Sequence, residues 1–130
     1  MNTPTVEEIL MTEKKLLTYL HEHAEIEIEA LPEHASIDGN CSALDEEANK
    51  EAARWVRQEL DNGNQWAWCV AKVTVSYQEV EASSYLGCCS YKSQEDFMIG
   101  GYYVDMLQEA IEELASNLLQ VAARIDGVIR

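Results

Sequence analysis

Histidines and cysteines are the residue types to test first for chemistry. His21-x-His23, His34 and Cys41 fall within 21 residues, and Cys88-Cys89 lies elsewhere. Zinc needs about four convergent nitrogen or sulfur ligands, grouped in closely spaced pairs. His-x-His turns both rings to one side only in an extended segment, and here it reads as two polar residues at a helix end. A nucleophilic thiol needs a base within reach and a positive or helix-N-terminal setting. Cys69, Cys88 and Cys89 fall mid-strand in an acidic chain, which raises a thiol pKa. Cys69 and Cys88 read as small core residues, and all four cysteines are expected to be free thiols. Among 24 acids, pairs such as Glu112-Glu113 or Asp45-Glu46-Glu47 are inevitable and carry no information. No Walker loop, dinucleotide glycine pattern or Ser-His-Asp signature is present. Gly100-Gly101 is too short to cradle a phosphate and reads as a helix start. The expectation is a non-enzymatic protein with no metal and no cofactor.

Charge is the chemistry that remains. Against the 24 acids stand 9 Lys and Arg, a net charge of -15 on 130 residues. Residues 1–50 hold 12 acids and 3 bases (-9), residues 51–100 hold 7 and 4 (-3), and residues 101–130 hold 5 and 2 (-3). Such a field repels nucleic acid and attracts basic surfaces. There is no basic stripe for phosphates, since Arg54 and Arg57 are flanked by Glu51 and Glu59. Glu25, Glu27 and Glu29 alternate with Ala24, Ile26, Ile28 and Ala30. On a strand they would stand about 6.5 Å apart, close to the spacing of successive phosphates in a nucleic-acid backbone. Glu46, Glu47 and Glu51 on a following helix would extend the patch.

The elements that position these residues are read from periodicity. A first helix runs from Pro4 to His21, capped by Thr3, with Glu7 and Glu8 at its positive end and Val6, Ile9, Leu10, Leu17 and Leu20 on one face. Residues 24–30 alternate as a strand. The rival is one long helix stopped by Pro32; the strand is preferred because Ile26 falls off the helical face. Residues 32–42 read as a loop. A second helix starts near Ala43, capped by Ser42, carries Leu44, Ala48, Ala52, Trp55, Val56 and Leu60, and ends at Asn62-Gly63. Trp66–Tyr77 reads as a strand with Ala67, Cys69, Ala71, Val73, Val75 and Tyr77 on its uncharged face. Ala82–Tyr91 pairs back as a hairpin, with Ala82, Leu86 and Cys88 inward and Tyr85, Gly87, Cys89 and Tyr91 outward. Ser93 caps a short turn closed at Gly100-Gly101. A last helix runs from Tyr102 to Ile125, with Tyr103, Met106, Ala110, Leu114, Leu118, Val121 and Ile125 in its stripe and Gly127 as its stop. The fold class is α+β: a small antiparallel sheet, the hairpin plus the 24–30 strand, packed against three α-helices in a single domain. Residues 1–42 form its acidic N-terminal segment and residues 43–130 its helix–hairpin–helix core.

On this plan Trp66, Trp68, Tyr85 and Tyr91 share the face opposite the main core. They form either a partner surface or a second core covered by the N-terminal segment. The helix–hairpin–helix order loosely resembles double-stranded-RNA-binding domains in topology, without the basic phosphate contacts.

Trp66-x-Trp68-Cys69, Leu86-Gly87-x-Cys89-x-Tyr91, Asp96-Phe97 and Tyr102-Tyr103-x-Asp105-Met106 make a pattern across residues 62–115. It resembles that of a group of small uncharacterised proteins encoded on phages, prophages and plasmids. The resemblance implies a mobile-element protein and brings no catalytic residues. By analogy with other small acidic proteins of such elements, it implies an inhibitor of host defence of the anti-CRISPR or anti-restriction type.

No apolar run approaches a membrane span and no signal pattern opens the chain, so a cytoplasmic location in a host cell is expected. The expected function is binding to a basic protein surface of a nucleic-acid-handling defence complex, with no direct nucleic-acid or membrane contact. The expected contact residues are Glu25, Glu27, Glu29, Glu46, Glu47, Glu51, Trp66, Trp68, Tyr85 and Tyr91. The rival is a structural module that forms a homodimer through its aromatic hairpin.

Overall fold

β2 (Cys69–Tyr77) is the centre of the fold: its alternate residues are sealed against the helices, and Thr74 on the other side is buried as well. Cys69, Ala71, Val73 and Val75 are all at most 1% exposed, while Val70, Lys72 and Ser76 stay half-buried on the other side. β3 (Val80–Cys89) pairs with it antiparallel. The turn between them is the two residues Gln78 and Glu79, both at positive φ (48° and 68°), the backbone a tight hairpin requires. β1 (Glu25–Pro32) pairs along the other side of β2 in an unbroken antiparallel register, Ile26 beside Val75 and Ile28 beside Val73. The strand reading of residues 24–30 therefore holds, and the sheet order is β1-β2-β3.

The computed structural model describes residues 6–41, 43 and 45–129, and the side chains of residues 12–41, 43 and 45–124. Thr3, Pro4, Ser42 and Leu44, and the side chains of Val6, Glu7, Glu8, Ile9, Leu10 and Ile125, lie outside the described residues.

Two further helices close the apolar face. α4 (Gly101–Ile129) lies across β3 and β2. Ala110, Ile111, Leu114 and Ala115 meet Val75, Ala82 and Leu20 of α1 (Val6–His23) in one cluster. Met106 joins Cys69, Ala71, Val73, Cys89 and Phe97 in a second. Each fully buried Leu, Ile or Phe in these clusters contributes roughly 1.5–3 kcal/mol. Phe97, on the short α3 (Gln94–Ile99), is completely buried. It stacks on Trp66 at 5.1 Å and meets the edges of Tyr91 and Tyr103 at 5.3 and 5.7 Å. α2 (Glu46–Asp61) buries Ala53 and Val56 and makes its main contacts with a 3-10 turn over Gln65–Ala67.

Local expectations are corrected at several points. Trp66 is not in a strand: Asn64 accepts from the Trp66 N–H and donates to the carbonyl of Lys92, winding residues 65–67 into the 3-10 turn. Inward and outward roles at Cys88 and Cys89 are exchanged. Val70 faces two residues of β3, so the strand bulges there, Cys88 sits at φ 53° and is exposed, and Cys89 is buried. α2 begins at Glu46 rather than near Ala43, because Asp45 is its cap and accepts from the Ala48 N–H at 2.8 Å. Trp55, expected on its apolar side, is exposed. α4 continues through Gly127 to Ile129; one glycine weakens a helix by about 1 kcal/mol and does not end it.

Candidate interaction face

Because Ile26, Ile28 and Ala30 share the helix side with Val75, Val73 and Ala71, Glu25, Glu27 and Glu29 must all stand on the opposite side. Register builds rows across that open face. Glu25, Ser76 and Glu81 form one row, Glu27, Thr74 and Ser83 the next, and Glu29, Lys72 and Tyr85 the third. Strands lie about 4.8 Å apart, so Glu25 and Glu81 are roughly 10 Å apart on the two outer strands. Glu81 is thus a fourth acid on this face that sequence reasoning missed; its signal was its parity with Ser83 and Tyr85. The centre of the face is tied together by a 2.8 Å hydrogen bond between the Thr74 and Ser83 hydroxyls. Lys72 is the one base in these rows, and its ammonium sits 5.5 Å from the centre of the Tyr85 ring.

Glu46, Glu47 and Glu51 are exposed on the first turns of α2. They belong to an element whose main contacts are with the 3-10 turn rather than with the strands.

The four aromatic residues do not share a face. Trp66 and Tyr91 pack on Phe97 on the helix side. Trp68 is 6% exposed, and its indole N–H donates to the Ala35 carbonyl at 3.0 Å, under the loop that follows β1. Only Tyr85, 59% exposed, stands on the open face. The physical reasons are the 3-10 turn, which rotates Trp66 inward, and the loop, which covers Trp68. Most of the pattern residues named above are therefore core: Trp66, Cys69, Cys89, Tyr91, Phe97, Tyr103 and Met106 surround one end of the sheet. Gly87 is exposed beside the bulge, where a Cβ would lie 3.1 Å from the Glu33 carboxylate.

That carboxylate is a clasp. It accepts from the Ala35 N–H at 2.9 Å and from the N–H of the bulged Cys88 at 2.7 Å. These backbone hydrogen bonds hold the Glu33 pKa below its ordinary value. Likewise the hydrogen bond from Arg57 holds Asp38 below the usual carboxylate range and ties the loop to α2.

A groove of about 460 Å³ opens beside the bulge, bordered by Cys41, Trp55, Trp68, Cys88 and Tyr102 among others. Among the described residues no imidazole borders it, and the nearby Glu33 carboxylate is engaged by the Ala35 and Cys88 backbone N–H groups. Burial pushes the Cys69 thiol up to about 12 and raises Cys89 as well, the opposite of what a nucleophile needs. His21 and His23 lie on different sides of α1, with His21 hydrogen-bonded to Gln108 and His23 against the Tyr19 ring. Among the described residues no three His, Cys, Asp or Glu side chains converge on a metal position, and no helix is long and apolar enough to cross a membrane.

Compared with known proteins, the chain matches no family model, no curated protein and no solved structure.

Proposed function

We propose that this is a non-enzymatic binding protein whose open sheet face occupies a basic protein surface. The observation that carries the reading is the set of glutamates on that face, Glu25, Glu27 and Glu29 along one strand and Glu81 across from them, with Lys72 as the base in their rows. A rigid sheet holds these charges at fixed spacing, so little side-chain ordering is needed on binding. Spacing of about 6.5 Å along the strand suits a groove built for phosphates. The resemblance to proteins of mobile elements makes the class of partner a nucleic-acid-handling defence complex of the host, met in the host cytoplasm. The protein then acts as an inhibitor of the anti-CRISPR or anti-restriction type.

The test is affinity for a captured host partner across a salt series, with the Glu25→Gln, Glu27→Gln, Glu29→Gln triple variant beside the natural protein. Steering by opposite charge predicts association slower by about tenfold or more in the variant at low salt, the gap closing as salt rises. A flat salt dependence with an unaffected triple variant would leave the reading without support.

A further inference from the structure

Resting on the reading above, we propose that the outer edge of β1 is where the partner is held: an extended basic segment of the partner adds to the sheet as a fourth strand. β1 ends the sheet, and among the described residues no hydrogen bond reaches its outer backbone groups. Alternate residues of such a strand turn their N–H and C=O outward, a template for another chain. The edge is straight and long. Its eight residues, Glu25–Pro32, pair with β2 without a bulge and span roughly 26 Å. Proteins blunt free edges with bulges, covering helices, proline or charge. Here proline stands only at the last position, α4 lies over β3 and β2 instead, and the charges on the edge are all glutamates, which exclude a like-charged strand and admit a basic one.

Both sides of β1 specify the occupant. On the helix side Ile26 is 44% exposed at the sheet's rim, and Ile28 is half-buried. A neighbouring strand would cover them with apolar residues of its own. On the open side stand Glu25, Glu27 and Glu29, which call for Lys or Arg at the intervening positions of that strand. A second copy of this chain does not fit. In one register its glutamates would lie beside these glutamates, and in the other beside Ile26 and Ile28. Like charges directly opposite in a strand pair are destabilising.

The experiment titrates the full chain with synthetic eight-residue peptides. One alternates Lys and Val; one has the same composition in two blocks; two carry N-methyl groups on alternate amides of the alternating peptide, one for each set. Edge pairing predicts that the alternating peptide binds about tenfold or more tighter than the block peptide and protects β1 amides from hydrogen exchange. It also predicts that methylation of one set removes this gain while methylation of the other is tolerated. Ile26→Lys should weaken the alternating peptide by about tenfold while leaving the fold intact, since Ile26 is nearly half open. Equal binding by block, methylated and alternating peptides would overturn edge pairing and leave the acidic-face reading standing. Absence of binding by every lysine peptide would overturn both.

Discussion

One side of the sheet is sealed by apolar packing and the other carries the charge, although the same three strands make both. On the helix side, Cys69, Ala71, Val73 and Val75 meet Ala110, Ile111 and Leu114 with no charged side chain in the clusters. Two residues' width away, the alternate positions hold Glu25, Glu27, Glu29, Glu81 and Lys72. The comparison teaches that the net charge of -15 need not weaken the fold where it is densest in the sheet. Exposed charges contribute little to stability, so the open face is free to be shaped by binding while its back is fixed by packing.

The comparison is broken most severely from behind. Phe97→Ala removes a fully buried ring from among Trp66, Tyr91 and Tyr103, and should cost about 3–5 kcal/mol in denaturant unfolding. A loss under about 1 kcal/mol would mean that this end of the sheet does not rest on the aromatic cluster. Trp68→Ala comes next, at about 3 kcal/mol, from lost packing and from the unpaired Ala35 carbonyl. Partner affinity per folded molecule should stay unchanged. A loss of affinity with stability intact would return Trp68 to the binding surface. A third change should stabilise. Replacing Gln78-Glu79 by Asn-Gly relieves positive φ at two ordinary residues and should raise stability by about 1 kcal/mol while touching neither face.

A smaller effect separates the loop clasp from both faces. The Glu33 pKa is lowered from its ordinary 4.5, so its contribution is fully present above that value and is lost as pH falls through the folded value. The difference in thermal midpoint between the natural protein and Glu33→Gln should therefore narrow as pH drops from about 5 toward about 3. A constant difference would remove the clasp from the account. Smallest in stability is the triple Gln variant of Glu25, Glu27 and Glu29, expected within about 0.5 kcal/mol of the natural protein. It sharpens the comparison because its loss appears only in binding.

The hairpin, the third strand and the long helix were legible because each repeats one period over many residues. Val73 and Val75 are buried as their parity demands, and Met106, Ala110 and Leu114 as their helical spacing demands. What periodicity does not record are interruptions. The bulge at Cys88 leaves no mark in the order of apolar residues, so the roles of Cys88 and Cys89 came out exchanged. The turn at Trp66 depends on the side chain of Asn64, a contact with Lys92 that only the folded chain creates. The glutamate row of β1 was legible from its alternation. Glu81 shares the parity of Ser83 and Tyr85, but the strand was expected to begin only at Ala82, one residue too late to include it. The aromatic quartet failed for a different reason: shared parity in the chain does not make a shared surface once a turn and a loop intervene.

The position of β1 also has a meaning in time. Strands β2 and β3 are neighbours in the chain and can close on each other quickly through a two-residue turn. β1 is made well before either, yet among the described residues its strand partner is β2, beyond the intervening residues 33–68. During synthesis from the N-terminus it therefore has no strand to pair with while α2 is still being added. An isoleucine-bearing strand kept waiting invites association with other chains. Like charges interleaved with the isoleucines oppose the pairing of two such strands, the role that gatekeeper residues play beside apolar strands. The charges proposed to greet a partner in the finished protein would thus already have served the nascent one, keeping its first strand single until the second arrives.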